Sequence, residues 1–319
     1  MLQRGARPLV CILALLTVPL LPVSAQQLAL NSDAGWIPPA LTPQGQAAAN
    51  PDGIAVDALA MLQRGEANGD PAPIREMFRL ATMATSRQKQ SAWGPFLSAR
   101  GLLALVRMDA PPMLSDAQRE GEGYVEAFWR HLLMALERDP SFAPARELAA
   151  TQLVAARDRC LTADQQRLVE RMVSAPAATA DFHLVHARDL RTKGDHDRAL
   201  AAFDRAAALG GDAGRLSLER ARTLMALGRG DDASRAYWAG LRALTPVARE
   251  AYRFDLAWIL EGDTLAAFDA LPDVAVQPWL QRFWAERDAA AANRPGERLT
   301  EHLRRWTVAF RDYRVPKPE

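Results

Sequence analysis

Arginines recur at a fixed interval in the C-terminal half of the chain. Arg188 and Arg222 are 34 residues apart, and so are Arg215 and Arg249. A guanidinium binds a carboxylate through two parallel hydrogen bonds, so arginines stacked on neighbouring helices would suit a carboxylate or an acidic peptide. The competing use is pairing with the chain's own Glu219 and Glu250, or solvation. Other groups capable of chemistry are weaker. His183 and His186 share one helical face and, with Asp181, could begin a metal site. Such sites need three or four ligands, no cysteine is near, and His196 falls in the next turn; no metal is expected. Asp195 stands where an acid would cap the following helix. Glu297, Arg298, Glu301, His302, Arg304 and Arg305 crowd the last helix, with Arg305 and Arg298 as partners for Glu301. Trp306 and Phe310, four apart, are expected to enter the core while that helix seals the end of the fold. Cys160 has no histidine close in sequence and reads as a buried, inert thiol. No segment carries a catalytic signature or calls for a cofactor, so the chain reads as a non-enzyme.

These residues must be positioned by helices. Of 319 residues, 49% are hydrophobic and only 7% aromatic. The abundant Ala, Leu and Arg lose little freedom on entering a helix. No sustained alternation of apolar and polar residues marks a strand. Helices are expected over Ile74–Ala84, Trp93–Arg107, Ala117–Arg138 (one long helix or a bent pair around Gly121 and Gly123), Phe142–Arg159 and Ala163–Val173, with a turn over Gly65–Pro73.

The segment KGDHDRALAAFDRAAAL, Lys193–Leu209, explains the spacing of the arginines. When Gly194, Gly228 and Gly262 are placed over one another, Ala199, Ala233 and Ala267 coincide, as do Phe203, Tyr237 and Leu271, and Ala187 and Ala221 on the preceding helix. Paired helices whose axes lie about 8–10 Å apart accept only small residues at the closest contacts, and one large residue per unit fills the remaining gap. The units run 180–213, 214–247 and 248–281. The third is degenerate: Asp255 takes the place of the first small residue and Val274 of the last.

This pattern resembles the tetratricopeptide repeat, whose period is 34 residues. The resemblance implies an all-α solenoid of antiparallel helix pairs, a superhelix whose concave groove is lined by the first helix of each unit. Carried onto this chain, the groove residues are Leu184, Arg188 and Arg191, then Arg215, Leu218, Arg222 and Met225, then Arg249, Tyr252 and Leu256. Arg188, Arg191, Arg215, Arg222 and Arg249 are the expected anchors for a protein or peptide partner, with Leu218 and Tyr252 as its apolar contacts. Divergent helical repeats are expected over 51–176 and the clearer repeats over 177–281.

A second likeness covers about 35 residues from Gln281 to Arg314. Phe283-Trp284, Arg287-Asp288, Gly296-Glu297-Arg298-Leu299, Glu301-His302, Arg304-Arg305 and Ala309 resemble a segment of exported bacterial proteins that join tetratricopeptide repeats to a GWxTD domain. Residues 282–319 are accordingly expected to form a helical cap. No Gly-Trp-x-Thr-Asp run is present, so nothing that depends on that domain carries over.

The N-terminus supplies a compartment. Arg4 and Arg7 precede an apolar run, Leu9–Leu21, and Val23-Ser24-Ala25 offers small residues at the cleavage positions. This is the layout of a signal peptide over 1–25, implying a periplasmic or secreted protein without stable membrane insertion after cleavage. Residues 26–50 read as a disordered leader. The balance of 39 Lys+Arg against 38 Asp+Glu argues against nucleic acid as partner. The resulting expectation is an exported scaffold that binds a protein or peptide through its groove. The alternatives are an enzyme or enzyme subunit using the Glu297/Glu301/His302 cluster, and a truncated, non-catalytic relative of a longer protein.

Overall fold

The computed structural model describes residues 53–108, 123–157, 160–260 and 262–312. The expected signal peptide and leader lie outside them. Among the described residues there are fourteen α-helices and no strands: α1 (Ile54–Asn68), α2 (Pro71–Arg87), α3 (Trp93–Arg107), α4 (Tyr124–Arg138), α5 (Ala143–Ala155), α6 (Ala163–Ser174), α7 (Ala180–Thr192), α8 (His196–Ala208), α9 (Ala213–Ala226), α10 (Gly230–Arg242), α11 (Pro246–Leu256), α12 (Gly262–Asp269), α13 (Asp273–Ala290) and α14 (Glu297–Asp312). Helices adjacent in sequence pack in pairs, and the pairs stack into an all-α solenoid. No described helix is long and apolar enough to cross a membrane.

The N-terminal pairs share one core. Trp93, Phe96 and Phe142 meet edge to face at 5.1–5.8 Å between centroids, and Arg100 reaches from α3 to clamp Glu66 of α1 through Nε and Nη2. The turn expected over Gly65–Pro73 is much shorter. Gly65 is buried inside α1, where a side chain would strike Ile74, and Asp70 starts α2 at once by accepting the Ala72 N–H.

From α7 onward the 34-residue period is built into the packing. Ala187, Ala199, Phe203, Ala221, Ala233 and Tyr237 are all fully buried. The α7–α8 and α9–α10 reversals are the same structure twice. Gly194 and Gly228 adopt φ of +83° and +74°, a left-handed conformation that glycine enters without steric cost. Each turn closes with matching bonds, Asp195 N–H to the Leu190 carbonyl and Arg229 N–H to the Leu224 carbonyl. Asp195 then caps α8 by accepting the Arg198 N–H, as its position predicted. Closest approach falls at Gly240, where an added Cβ would lie 2.7 Å from the Gly214 carbonyl and 2.3 Å from the Tyr252 hydroxyl.

The third unit departs from the register. α12 has only eight residues. Phe268 is buried in place of Leu271, which is half-buried, and Ala267 is exposed. The missing helix surface is supplied by α13, which buries Val276, Leu280, Phe283 and Trp284. α13 therefore runs through the boundary expected at residue 281, and repeat and cap are joined by one continuous helix.

Candidate peptide-binding groove

The first helices of the three units, α7, α9 and α11, form one continuous face, and it carries the arginines predicted for it. They do not stand open. Arg188, Arg191 and Arg222 are 7%, 4% and 3% exposed. Glu219 of α9 sits among all three. Arg188 donates to its Oε1 through Nε at 2.9 Å and Nη2 at 2.5 Å. Arg191 Nη2 lies 2.8 Å from its Oε2, and Arg222 Nη1 lies 3.7 Å from Oε1. Arg222 then donates through Nη2 to Asp255 Oδ1 of α11 at 2.7 Å. The result is a buried ladder of alternating charge, Arg188–Glu219–Arg222–Asp255, running across three helix pairs.

The electrostatics follow from the ladder. Burial alone would raise the Glu219 carboxyl, but the Arg188, Arg191 and Arg222 guanidiniums outweigh it and hold the group well below the usual carboxylate range. Asp255 obeys the same balance. Burial pushes it up, Arg222 and His302 pull it further down, and it settles at about 2. Both carboxylates are therefore ionised at neutral pH.

The remaining predicted groove residues fall into two groups. Leu218 and Tyr252 are buried in the apolar core beneath the face. The Tyr252 hydroxyl donates to the Tyr237 carbonyl at 2.5 Å, so neither residue is offered to a ligand as expected. Their side chains fill the gap between the stacked pairs. Arg215 and Arg249 lie at the edge, paired with Asp181 at 2.8 Å and Asp273 at 2.7 Å. Glu250, considered as a local partner for them, instead meets Arg157 at 2.9 Å.

The face is occupied by α14. This helix was expected to seal the end of the solenoid; instead it folds back against α9 and α10, and its side chains reach Asp255 of α11 and Arg191 of α7. Leu299 and Leu303 are buried against it. His302 Nε2 lies 2.7 Å from Asp255 Oδ2. Because that carboxylate is ionised, Nε2 carries the proton and donates it. One turn further on, Trp306 stacks on Phe310 at 4.9 Å with planes 9° apart. The pair rests on the guanidiniums rather than in the core, with Trp306 centred 4.3 Å from Arg222 and 5.0 Å from Arg191. Contacts of this kind contribute about 0.5–2 kcal/mol each. On the α13 side, Asp288 accepts the Gly296 and Arg298 N–H groups at 2.7 and 2.8 Å and so caps the start of α14.

The other sequence candidates do not assemble into a centre. Glu301 points away from His302 and pairs with Arg304 and Arg305; Arg298, its other expected partner, is not joined to it by any bond seen here. A shallow, open cavity of about 610 Å³ lies between the start of α10 and the start of α14, lined by Asp231, Asn293, Glu297, Arg298 and Glu301 among others, and His302 does not line it. Among the described residues no three His, Cys, Asp or Glu side chains converge as metal ligands. Cys160 is half-buried rather than buried.

Two features of the groove were not anticipated: Glu219 as the shared counter-ion, and α14 as the occupant. One sequence signal pointed to the second. Asp255 stands at the position held by Ala187 and Ala221 in the better units, and a buried acid there calls for partners on both oxygens, of which Arg222 supplies one and His302 of α14 the other. No protein-family model, curated protein or solved structure matches the chain.

Proposed function

We propose that this chain is an exported helical scaffold that binds a protein partner on the concave face formed by α7, α9 and α11. The observation that carries this reading is the way the face holds α14. Apolar seats for two leucines, a buried hydrogen bond and a guanidinium-backed aromatic shelf together grip one side of an amphipathic helix, the mode by which grooved domains take helical peptides. The resemblance to tetratricopeptide repeats and the expected signal peptide agree with a binding role outside the cytoplasm. The Glu297/Glu301/His302 cluster gives an enzymatic reading no comparable support, because His302 is turned to Asp255 while Glu297 and Glu301 line an open cavity without it.

The test is a footprint. The mature chain is used to capture its partner from a periplasmic extract, and hydrogen exchange is compared with and without that partner. Added protection is expected on α7, α9 and α11 and changed exchange on α14. Protection confined to the second helices, α8 and α10, would overturn the proposal.

A further inference from the structure

We infer that α14 is an exchangeable occupant of the groove, and that the partner is a helix presenting the same stripe. This rests on the binding role proposed above. The stripe is Leu299, His302, Leu303, Trp306 and Phe310: two aliphatic residues four apart, a hydrogen-bond donor three after the first, and aromatics seven and eleven after it. Each part has its seat. The leucines enter the apolar cluster with Leu218 and Leu256, the donor meets Asp255, and the aromatics lie on Arg222 and Arg191.

Three observations indicate that the occupant can leave. First, only Leu299 and Leu303 of its sixteen residues are buried; from Arg304 onward every described residue is exposed or half-buried. Second, α14 is joined to α13 by residues 291–296, where Ala292 has φ of +53° and Gly296 φ of +89°. The left-handed Ala292 closes the end of α13, where the Asn293 N–H meets the Asp288 carbonyl, and all six connecting residues are exposed or half-buried, so no buried side chain of the connection holds α14 in place. Third, the groove charges are satisfied without α14 except at Asp255, since Glu219, Arg188 and Arg222 bind one another. An incoming helix needs to replace one hydrogen bond and one apolar stripe.

The geometry also provides a lock. A Cβ built on Gly230 of α10 would lie 3.6 Å from Thr300 Cγ2 of α14, close enough for a cysteine pair to bridge. Gly230→Cys with Thr300→Cys, in a Cys160→Ser background, should fasten α14 down when oxidised and free it when reduced.

The probe is a fluorescent synthetic peptide spanning residues 296–312, added in trans to the full mature chain. Trp306→Ala with Phe310→Ala, both at half-buried positions, weakens the resident helix without touching the two buried leucines. Binding to that variant is expected to be at least about tenfold tighter than to wild type, because a resident helix lowers apparent affinity by the fraction of open groove. The oxidised lock should abolish binding and reduction should restore it. A peptide variant with His302→Ala should bind more weakly. Equal binding to locked and unlocked chains would overturn the inference, as would no binding to an opened variant that circular dichroism shows to be folded. If the peptide fails while the partner still protects α7, α9 and α11, exchange is refuted and the concave-face reading stands. If the partner's footprint lies elsewhere, that reading falls with it.

Discussion

Glu219 is the residue whose removal should cost most. It is 1% exposed and serves three arginines. Breaking a buried ion pair by deleting one partner leaves uncompensated charge and costs about 3–5 kcal/mol. Glu219→Gln is therefore expected to lower unfolding free energy by about that amount in urea titration, whereas Asp269→Asn, which breaks the exposed bridge to Arg253, should change it by about 1 kcal/mol or less. His131 sets the pH response. Burial, assisted by Arg130, lowers its pKa to about 4. A depressed pKa means that the unfolded chain takes up the proton first, so stability is full above pH 6.5 and is lost as pH falls from there toward 4. Between pH 7 and 5 this group should account for about 2 kcal/mol of lost stability. His131→Phe should flatten that part of the curve by the same amount. Below about pH 4, protonation of Asp255 and Glu219 should add a second, steeper loss in both chains, since each is held below its unfolded value.

Two glycines separate the roles that this residue plays in helix pairs. Gly228 holds a left-handed turn with open space around it, whereas Gly240 lies in the last turn of α10 against the Gly214 backbone and the Tyr252 hydroxyl. Gly228→Ala should cost about 1–2 kcal/mol of backbone strain. Gly240→Ala would gain about 1 kcal/mol in helix propensity. Its methyl group, however, would force α9 and α10 apart and disturb the Tyr252–Tyr237 hydrogen bond, so a net loss of about 2–3 kcal/mol is expected. Thermal unfolding of the two variants checks the order. At this scale the sequence was largely readable. The recurrence of Ala199 and Ala233, of Phe203 and Tyr237, and of the turn glycines reports local packing within one unit, and local packing is what a repeat encodes. Where the pattern faded, so did legibility: after Gly262 the register slips, and Phe268 rather than Leu271 turns inward. The position of α14 was hidden for a different reason. Its stripe announces a buried face, but the partner of that face is set by contacts such as Asp255 with His302, 47 residues apart in sequence. Burial of the predicted anchors was equally hidden, because an arginine column reads the same whether it awaits a ligand or surrounds a glutamate.

At the scale of the molecule, the charge ladder makes neighbouring units unequal. Repeat arrays are usually tolerant of losing or gaining a unit, since each unit presents the same surface to the next. Here the surfaces differ. The position of Glu219 in the second unit is held by Arg253 in the third, and the position of Asp255 in the third is held by Ala221 in the second. Deleting residues 214–247 would put Arg188 where Arg222 now stands, facing Asp255, but would remove Glu219 and with it the carboxylate that Arg191 meets. Duplicating the second unit would give the second Glu219 an Arg222 in place of Arg188 but Met225 in place of Arg191, one cation fewer. The solenoid looks modular in outline, yet its hairpins cannot be shuffled like beads on a string. Their order is written in ions, and each such change of length leaves Arg191 or one Glu219 short of a partner.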